Sequence, residues 1–278
     1  MNHPMYPCLW FDQNAQQAAA FYCSVFPNSR LLQESPMAVT FLVNGTKLMA
    51  LNGGPTYRIN PAISFFYYCG SEEEILRLYP ILSEQGQVLM PLDKYDWSPK
   101  YAWVVDRFGV SWQLDMDPIN SPQKVVPSLL FANEKSGEVK NALTHYSRIF
   151  PDSRILMEAP YPPSAQQPEG ALLFAQFKLS GFIFNSMSSS IPHDFDFSPA
   201  VSFVIEADTQ EAIDYFWEQL GAGGQFGRCG WLVDRFGVSW QVIPALLSAL
   251  MNDPEKAPRV VQAFLALDKL DLKTLQNA

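Results

Sequence analysis

The sequence predicts an α+β protein built from paired β-α-β-β-β modules, in two tandem copies with a helical tail. Three observations predict it. The decapeptide VVDRFGVSWQ (Val104 to Gln113) returns as LVDRFGVSWQ (Leu232 to Gln241), with nine of ten letters shared. Three more pairs recur in the same order: PCLWF (Pro7 to Phe11) with PSLLF (Pro127 to Phe131), FYCSVFPNSR (Phe21 to Arg30) with HYSRIFPDSR (His145 to Arg154), and PAISFF (Pro61 to Phe66) with PAVSFV (Pro199 to Val204). Within each copy, short apolar runs alternate with segments of helical period. So long a repeat unit means two copies of a domain, not a solenoid. The expected boundaries are 1–119 for the first domain, 120–126 for a linker, 127–246 for the second domain and 247–278 for the tail.

The elements follow in order. CLWF is a short strand. AQQAAAFYCSVF is helical, with Ala18, Phe21, Tyr22 and Val25 on one stripe. Pro27 cannot continue it. AVTFLVNGTKLMALN is a hairpin turning at Asn44-Gly45, and GGP ends it. The pattern restarts with strand AISFFYYC, helix EEEILRLYPILSEQ, and strands QVLMPL, YAWVVD and SWQLDM. Copy two repeats this order, and Asp208 is the expected N-cap of its helix TQEAIDYFWEQL. DPINSPQKVVP (Asp117 to Pro127) joins the copies. The Pro-rich EAPYPPSAQQPEG (Glu158 to Gly170) reads as a mobile flap. Beyond Pro244 the pattern is helical, and the stripe of Val260, Val261, Phe264 and Leu267 is expected to pack on the domains.

The decapeptide reads first as a turn. Asp106 and Gly109 suit the ends of a type I turn. With Gly109 left-handed, the result is a three-residue hairpin loop with a bulge. That places Gln113 opposite Trp103 and Trp112 opposite Val104. The copy-two pairs are Gln241 with Trp231 and Trp240 with Leu232. A two-residue loop would move every side chain to the other face. In this register Trp112 and Trp240 belong to the core. Ser64, Phe66, Tyr68, Trp103 and Gln113 share one concave surface, and Ser202, Val204, Glu206, Trp231 and Gln241 share another. These ten residues, with Asn52, are the candidate ligand contacts. Trp10, Trp97 and the stripe SFFYY suit a core or a ligand cage equally.

Composition bounds the function. The 278 residues are 48% hydrophobic and 17% charged, enough for real cores. A net charge of −9 speaks against a nucleic-acid surface. No apolar run is long enough to span a membrane. The first residues lack a basic region before an apolar run, so a cytoplasmic location is expected. The four cysteines, Cys8, Cys23, Cys69 and Cys229, form no CxxC pair and suit free thiols in a reducing compartment.

Together these motifs resemble the vicinal oxygen chelate superfamily, which includes glyoxalase I, extradiol dioxygenases and bleomycin-resistance proteins. PCLWFDQNAQQAAAFYCSVFPNSR, LMALNGGP, AISF, YFWEQL, CGWLVDRFGVSWQVIP and RVVQAFLALDKLDL are most similar to its PhnB-like branch, often catalogued as 3-demethylubiquinone-9 3-methyltransferase. An ordinary member has one such domain and dimerises. The resemblance therefore implies a pseudo-dimer within this chain, or a homodimer of such chains. It also implies a divalent metal held by first-strand residues and a final-strand Glu. Here the final-strand position is Gln113 or Gln241, and neither PCLWF, PSLLF, AISFF nor AVSFV offers His, Glu or Asp. No metal and no cofactor is therefore expected. LGAGGQFG (Leu220 to Gly227) follows a helix instead of opening one, so it reads as a helix C-cap and not a nucleotide loop. Asp12, Asp93, Asp96, Asp115 and Asp117 read as turn or surface charges. The expected function is binding of a small aromatic or apolar molecule without catalytic metal. The alternatives are an enzyme, whether methyltransferase, lyase or isomerase, and an interaction scaffold.

Overall fold

The computed structural model describes residues 3–116, 122–165, 167 and 170–278. Four β-α-β-β-β modules follow one another. The first is β1 (Met5–Phe11), α1 (Ala15–Val25), β2 (Arg30–Glu34), β3 (Ala38–Val43) and β4 (Thr46–Asn52). The second is β5 (Ile63–Tyr68), α2 (Glu72–Ser83), β6 (Gln87–Tyr95), β7 (Ser98–Val105) and β8 (Ser111–Asp115). The third is β9 (Val125–Phe131), α3 (Val139–Ile149), β10 (Arg154–Pro160), β11 (Leu172–Leu179) and β12 (Phe182–Ser188). The fourth is β13 (Val201–Ala207), α4 (Gln210–Gly221), β14 (Gln225–Phe226), β15 (Trp231–Val233) and β16 (Ser239–Pro244). The tail forms α5 (Leu247–Asn252), α6 (Ala257–Ala266) and α7 (Leu272–Asn277).

Two expected segments fall partly outside the described residues: the joining segment at 117–121 and the Pro-rich flap at 166, 168 and 169. Val125 and Val126, expected in the linker, begin β9. The N-cap of α4 is Thr209, whose side chain accepts from Ala212 N–H, not Asp208. Thr209 directly precedes the first helical residue, so its hydroxyl meets the third amide of the helix.

The modules do not pair within a copy. One eight-stranded sheet, sheet A, has the order β14-β15-β16-β13-β1-β4-β3-β2, and sheet B has the order β10-β11-β12-β9-β5-β8-β7-β6. Sheet A thus joins the first and fourth modules, and sheet B the second and third. The joints are antiparallel, β1 with β13 and β5 with β9. These four strands lie at the sheet centres, which explains why they read as continuous apolar runs instead of alternating ones.

One apolar cluster contains the facing sides of both sheets and the buried stripes of α1 to α4. The repeated decapeptide fastens this core. Asp106 N–H donates to Val110 O at 2.9 Å and Gly109 lies at φ +84°, so the three-residue loop forms as expected. Trp103 faces Gln113 and Val104 faces Trp112; Trp231 faces Gln241 and Leu232 faces Trp240. Trp112 and Trp240 are 0% and 1% exposed. The Asp106 carboxylate accepts four donors: Phe108 N–H at 2.8 Å, Val110 N–H at 3.0 Å, Tyr22 O–H at 2.7 Å and Trp112 Nε1–H at 2.9 Å. Tyr22 lies on α1, against sheet A, while Asp106 ends a strand of sheet B. One carboxylate therefore fastens helix, turn and both sheets. Asp234 does the same in copy two, through Tyr146, Trp240, Phe236 and Val238. Burial pushes both carboxyls above the ordinary range, against the pull of their donors. The repeat marks the fold.

Among the described residues, no helix is long and apolar enough to cross a membrane. LGAGGQFG caps α4, with Gly223 at φ +81° and Gly224 N–H bonded to Gly221 O at 3.0 Å. Its second half forms the two-residue strand β14, and no helix opens from it.

Candidate functional site

The face of each sheet turned away from the core carries the candidate site residues. Sheet B curls around that face. Phe66 and Phe174 lie on β5 and β11, three strands apart in the sheet order, yet their ring centroids are 6.1 Å apart. A flat sheet would separate those strands by about 14 Å. Gln113 Nε2 on β8 likewise reaches Met187 Sδ on β12, at 3.6 Å.

The floor of the curl is a network of neutral amides and hydroxyls. Gln113, 1% exposed, donates to Ser64 Oγ at 2.7 Å and accepts from the Tyr101 hydroxyl. Tyr68 Oη accepts from Asn185 Nδ2 at 2.9 Å and from Gln176 Nε2 at 3.2 Å, and Gln176 also donates to Asn185 Oδ1 at 3.0 Å. Ser128, opposite Ser64 in the register, keeps a buried hydroxyl without a partner. Aromatic and thioether groups surround this floor. Phe66, Tyr68, Tyr101 and Val126 are buried; Met90, Tyr95, Trp103, Phe174, Ile183 and Met187 are half-buried against them. Trp103 Nε1–H donates to Ser111 Oγ at 2.7 Å, which fixes the indole. At the rim, Trp97 is 62% exposed, stacked on Tyr95 at 5.0 Å and edge-on to Tyr101 at 5.6 Å. Burial first, then nearby Asp115, pushes the Tyr101 hydroxyl far up, so it stays protonated.

Sheet A has the same frame and different chemistry. Gln241 donates to Ser202 Oγ at 2.9 Å. Cys8 lies beside them, its thiol pushed up to about 12 by burial. Glu206 occupies the place of Tyr68. It accepts from Tyr6 O–H at 2.7 Å and pairs with Lys47 at 2.8 Å, and the Lys47 ammonium sits 3.9 Å from the Tyr6 ring centroid. Val204 is buried in this cluster, and Trp231 meets Trp10 edge-on at 6.0 Å. Ile243, on the same face, also packs against the tail cluster of Leu247, Val260, Leu270 and Leu275. Ser248 of α5 bonds Gln33 of β2 at 2.8 Å, so the tail touches both flanks of sheet A.

Ser64, Phe66, Tyr68, Trp103 and Gln113 therefore stand together on sheet B, and Ser202, Val204, Glu206, Trp231 and Gln241 on sheet A. Asn52 stands apart from both groups. Its Oδ1 accepts from Ala15 N–H at 2.9 Å and its amide donates to Gln16 and Pro36, so it holds the start of α1. Gln176, Asn185, Phe174 and Met187 escaped the sequence reading. They come from copy two, and only the exchange of modules brings them opposite Gln113.

The metal expected of the superfamily does not fit these residues. The floor of sheet B offers Ser64, Gln113, Ser128 and Asn185; that of sheet A offers Cys8, Met49, Ser202 and Gln241, with its carboxylate, Glu206, engaged by Tyr6 and Lys47. Apart from Glu206, the thiol and the thioether, these are neutral hydroxyls and amides, mostly bonded to one another. Among the described residues no three His, Cys, Asp or Glu converge, whereas a catalytic divalent ion needs about three such ligands.

Module order and sheet topology define a glyoxalase-like fold of four modules in two tandem copies. Glyoxalase I from Zea mays superposes with a TM-score of 0.56 over 91% of this chain and 97% of its own, at 12% identity. The sequence then fixes the family: residues 3–115 and 123–243 match the model described as 3-demethylubiquinone-9 3-methyltransferase, and the chain belongs to that family. The PhnB protein from Bacillus cereus is 32% identical over 40% of this chain and 98% of its own, with a TM-score of 0.38. A protein from Pseudomonas aeruginosa is 27% identical over 40% and 94%, with a TM-score of 0.36. No curated protein matches the chain.

Proposed function

We propose that the curl of sheet B binds a small, uncharged molecule with a hydroxylated or carbonyl-bearing aromatic ring, without a metal. The observation that carries this is the neutral floor of Gln113, Asn185, Gln176 and Tyr68 beneath half-buried Trp103, Phe174 and Met187. Amides donate and accept, so they match a ring edge carrying either group, and aromatic walls cover its faces. Sheet A is the weaker candidate. Its Glu206–Lys47–Tyr6 cluster already satisfies its charges, and the tail packs against Ile243.

A second reading follows the family description and makes the same site catalytic. Asp115, the cross-strand partner of Tyr101, is then the candidate proton acceptor for a ring hydroxyl. Calorimetric titration of the full chain with 2-methoxyphenol and 2-methoxyhydroquinone tests the binding. Saturable binding should disappear in Gln113→Leu and persist in Gln241→Leu. The reverse pattern would move the site to sheet A, and no binding of either probe would refute the reading.

A further inference from the structure

The two copies also differ in chemistry at the outer side of the decapeptide turn. In copy one, Phe21 of α1 packs on Phe108, at 5.5 Å between centroids, and the Arg107 guanidinium lies 4.8 Å from the Phe21 ring centroid. Arg107 is also paired with Glu84, the residue after α2. There the Arg107 charge is neutralised by Glu84 and the guanidinium lies against Phe21.

In copy two the matching residues are His145 for Phe21, Arg148 for Ser24, Arg235 for Arg107 and Ala222 for Glu84. The corner opens into a hollow of about 340 Å³ lined by Asn141, Thr144, His145, Arg148, Arg235 and Phe236, with Glu138 at its edge. With Glu84 replaced by Ala222, Arg235 donates only to the Ala222 carbonyl, at 3.1 and 3.3 Å. Among the described residues, no carboxylate lies within ion-pair distance of Arg148 or Arg235. Glu138 is turned to Asn141, whose amide donates to it at 3.0 Å. His145 Nε2 is buried without a hydrogen-bond partner. Two guanidiniums and an imidazole thus meet at one hollow of a chain whose net charge is −9.

We infer that this corner of copy two is a binding site for the oxyanion group of a small molecule, held by Arg148, Arg235 and His145. Two unneutralised guanidiniums are the groups best suited to planar or tetrahedral oxyanions. Phosphoryl and carboxylate groups share this chemistry. Desolvation, then Arg235 and Arg148, hold the imidazole below its ordinary range. An anion placed among these cations, with Glu138 the only carboxylate lining the hollow among the described residues, reverses the charge effect and draws a proton onto His145.

The test uses the full chain at constant ionic strength, with inorganic phosphate and acetate as probes and chloride as the balancing salt. Proton NMR follows the His145 ring signal over a pH series. Saturable binding of one anion should raise the pKa of His145. Arg148→Ser and His145→Phe, which install the copy-one residues, should each weaken binding about tenfold, as loss of one charge-assisted contact implies. Arg148 is exposed, so Arg148→Ser keeps the fold; an unchanged melting temperature checks this. Arg107→Ala in copy one should leave binding unchanged. Tighter binding of phosphate assigns a phosphoryl group, and tighter binding of acetate a carboxylate. Failure of both anions to saturate, or equal binding in Arg148→Ser, would overturn the inference.

Discussion

Replacing Asp106 separates a structural from a catalytic role for the repeated motif. Asp106→Ala leaves four donors without an acceptor: the amides of Phe108 and Val110, the Tyr22 hydroxyl and the Trp112 indole. A hydrogen bond to a charged acceptor contributes about 1.5–3 kcal/mol, and removing a buried carboxylate relieves part of that loss. With four buried donors left unsatisfied at about 1–3 kcal/mol each, less that relief, the net cost should be about 3–5 kcal/mol. Asp106→Asn is milder. Its oxygen can still serve the two amides, and the Tyr22 hydroxyl can turn to accept. The Trp112 indole can only donate, so it is left facing an amide N–H₂ at a cost of about 1–3 kcal/mol. Tyr22→Phe removes one donor and should cost about 1 kcal/mol. Urea unfolding followed by tryptophan fluorescence and circular dichroism should rank the variants Ala, Asn, Phe, from most to least destabilised. Full stability of Asp106→Ala, with binding or activity lost, would show that the motif is a site after all.

Other expectations follow from the same structure. Trp112→Ala and Trp240→Ala should each cost about 3–5 kcal/mol, as large core deletions do, measured by urea midpoints. Trp103→Ala should instead weaken 2-methoxyphenol binding by about 1–3 kcal/mol with little loss of stability. With its thiol pushed up to about 12, Cys8 should be about one part in ten thousand thiolate at pH 8. A disulfide reagent should therefore label half-exposed Cys23 and Cys229 well before Cys8 and Cys69. Elemental analysis after a chelator wash should find well under one transition-metal ion per chain; one tightly held ion would contradict the donor-set argument.

The local structure was legible because local rules decide it. Gly109 and Gly237 take the left-handed conformation, at φ +84° and +90°, and from them the register of two strand pairs follows. The core tryptophans and the shared faces of Ser64 with Gln113 and Ser202 with Gln241 come with that register. What the sequence hid is which strand meets which. The centres PCLWF, PSLLF, AISFF and AVSFV are apolar but for one serine in each of the last three, so nothing in them specifies that β5 pairs with β9 and β1 with β13. Asn185 and Gln176 were invisible as partners of Tyr68 for that reason. Asn52 looked like a strand-end ligand group, but its partner is the start of α1, a contact made by tertiary packing.

The exchange of modules also bears on how two sites in one chain can differ. In a homodimer of single domains, any substitution falls on both sites at once. Here sheet B takes the second half of copy one and the first half of copy two, and sheet A takes the other two halves. Each site is therefore encoded by its own segments. Matching floor positions have drifted accordingly: Tyr68 against Glu206, Ile183 against Lys47, Ser128 against Cys8 and Asn185 against Met49. Glu206 and Lys47 lie 159 residues apart yet pair at 2.8 Å. A lone charge at either position would be costly on a half-buried surface, and the pairing offsets that cost. That pair occupies the sheet A face, whereas the matching Tyr68 and Ile183 leave those two positions of sheet B uncharged. The helices after β16 reinforce the difference, because they pack on Ile243 of sheet A. One duplicated frame thus holds a charge-paired face that meets the tail at Ile243 and an aromatic one with an amide floor, and under the proposed function it is the second that takes a ring with polar edges, because no ion pair has to be displaced there.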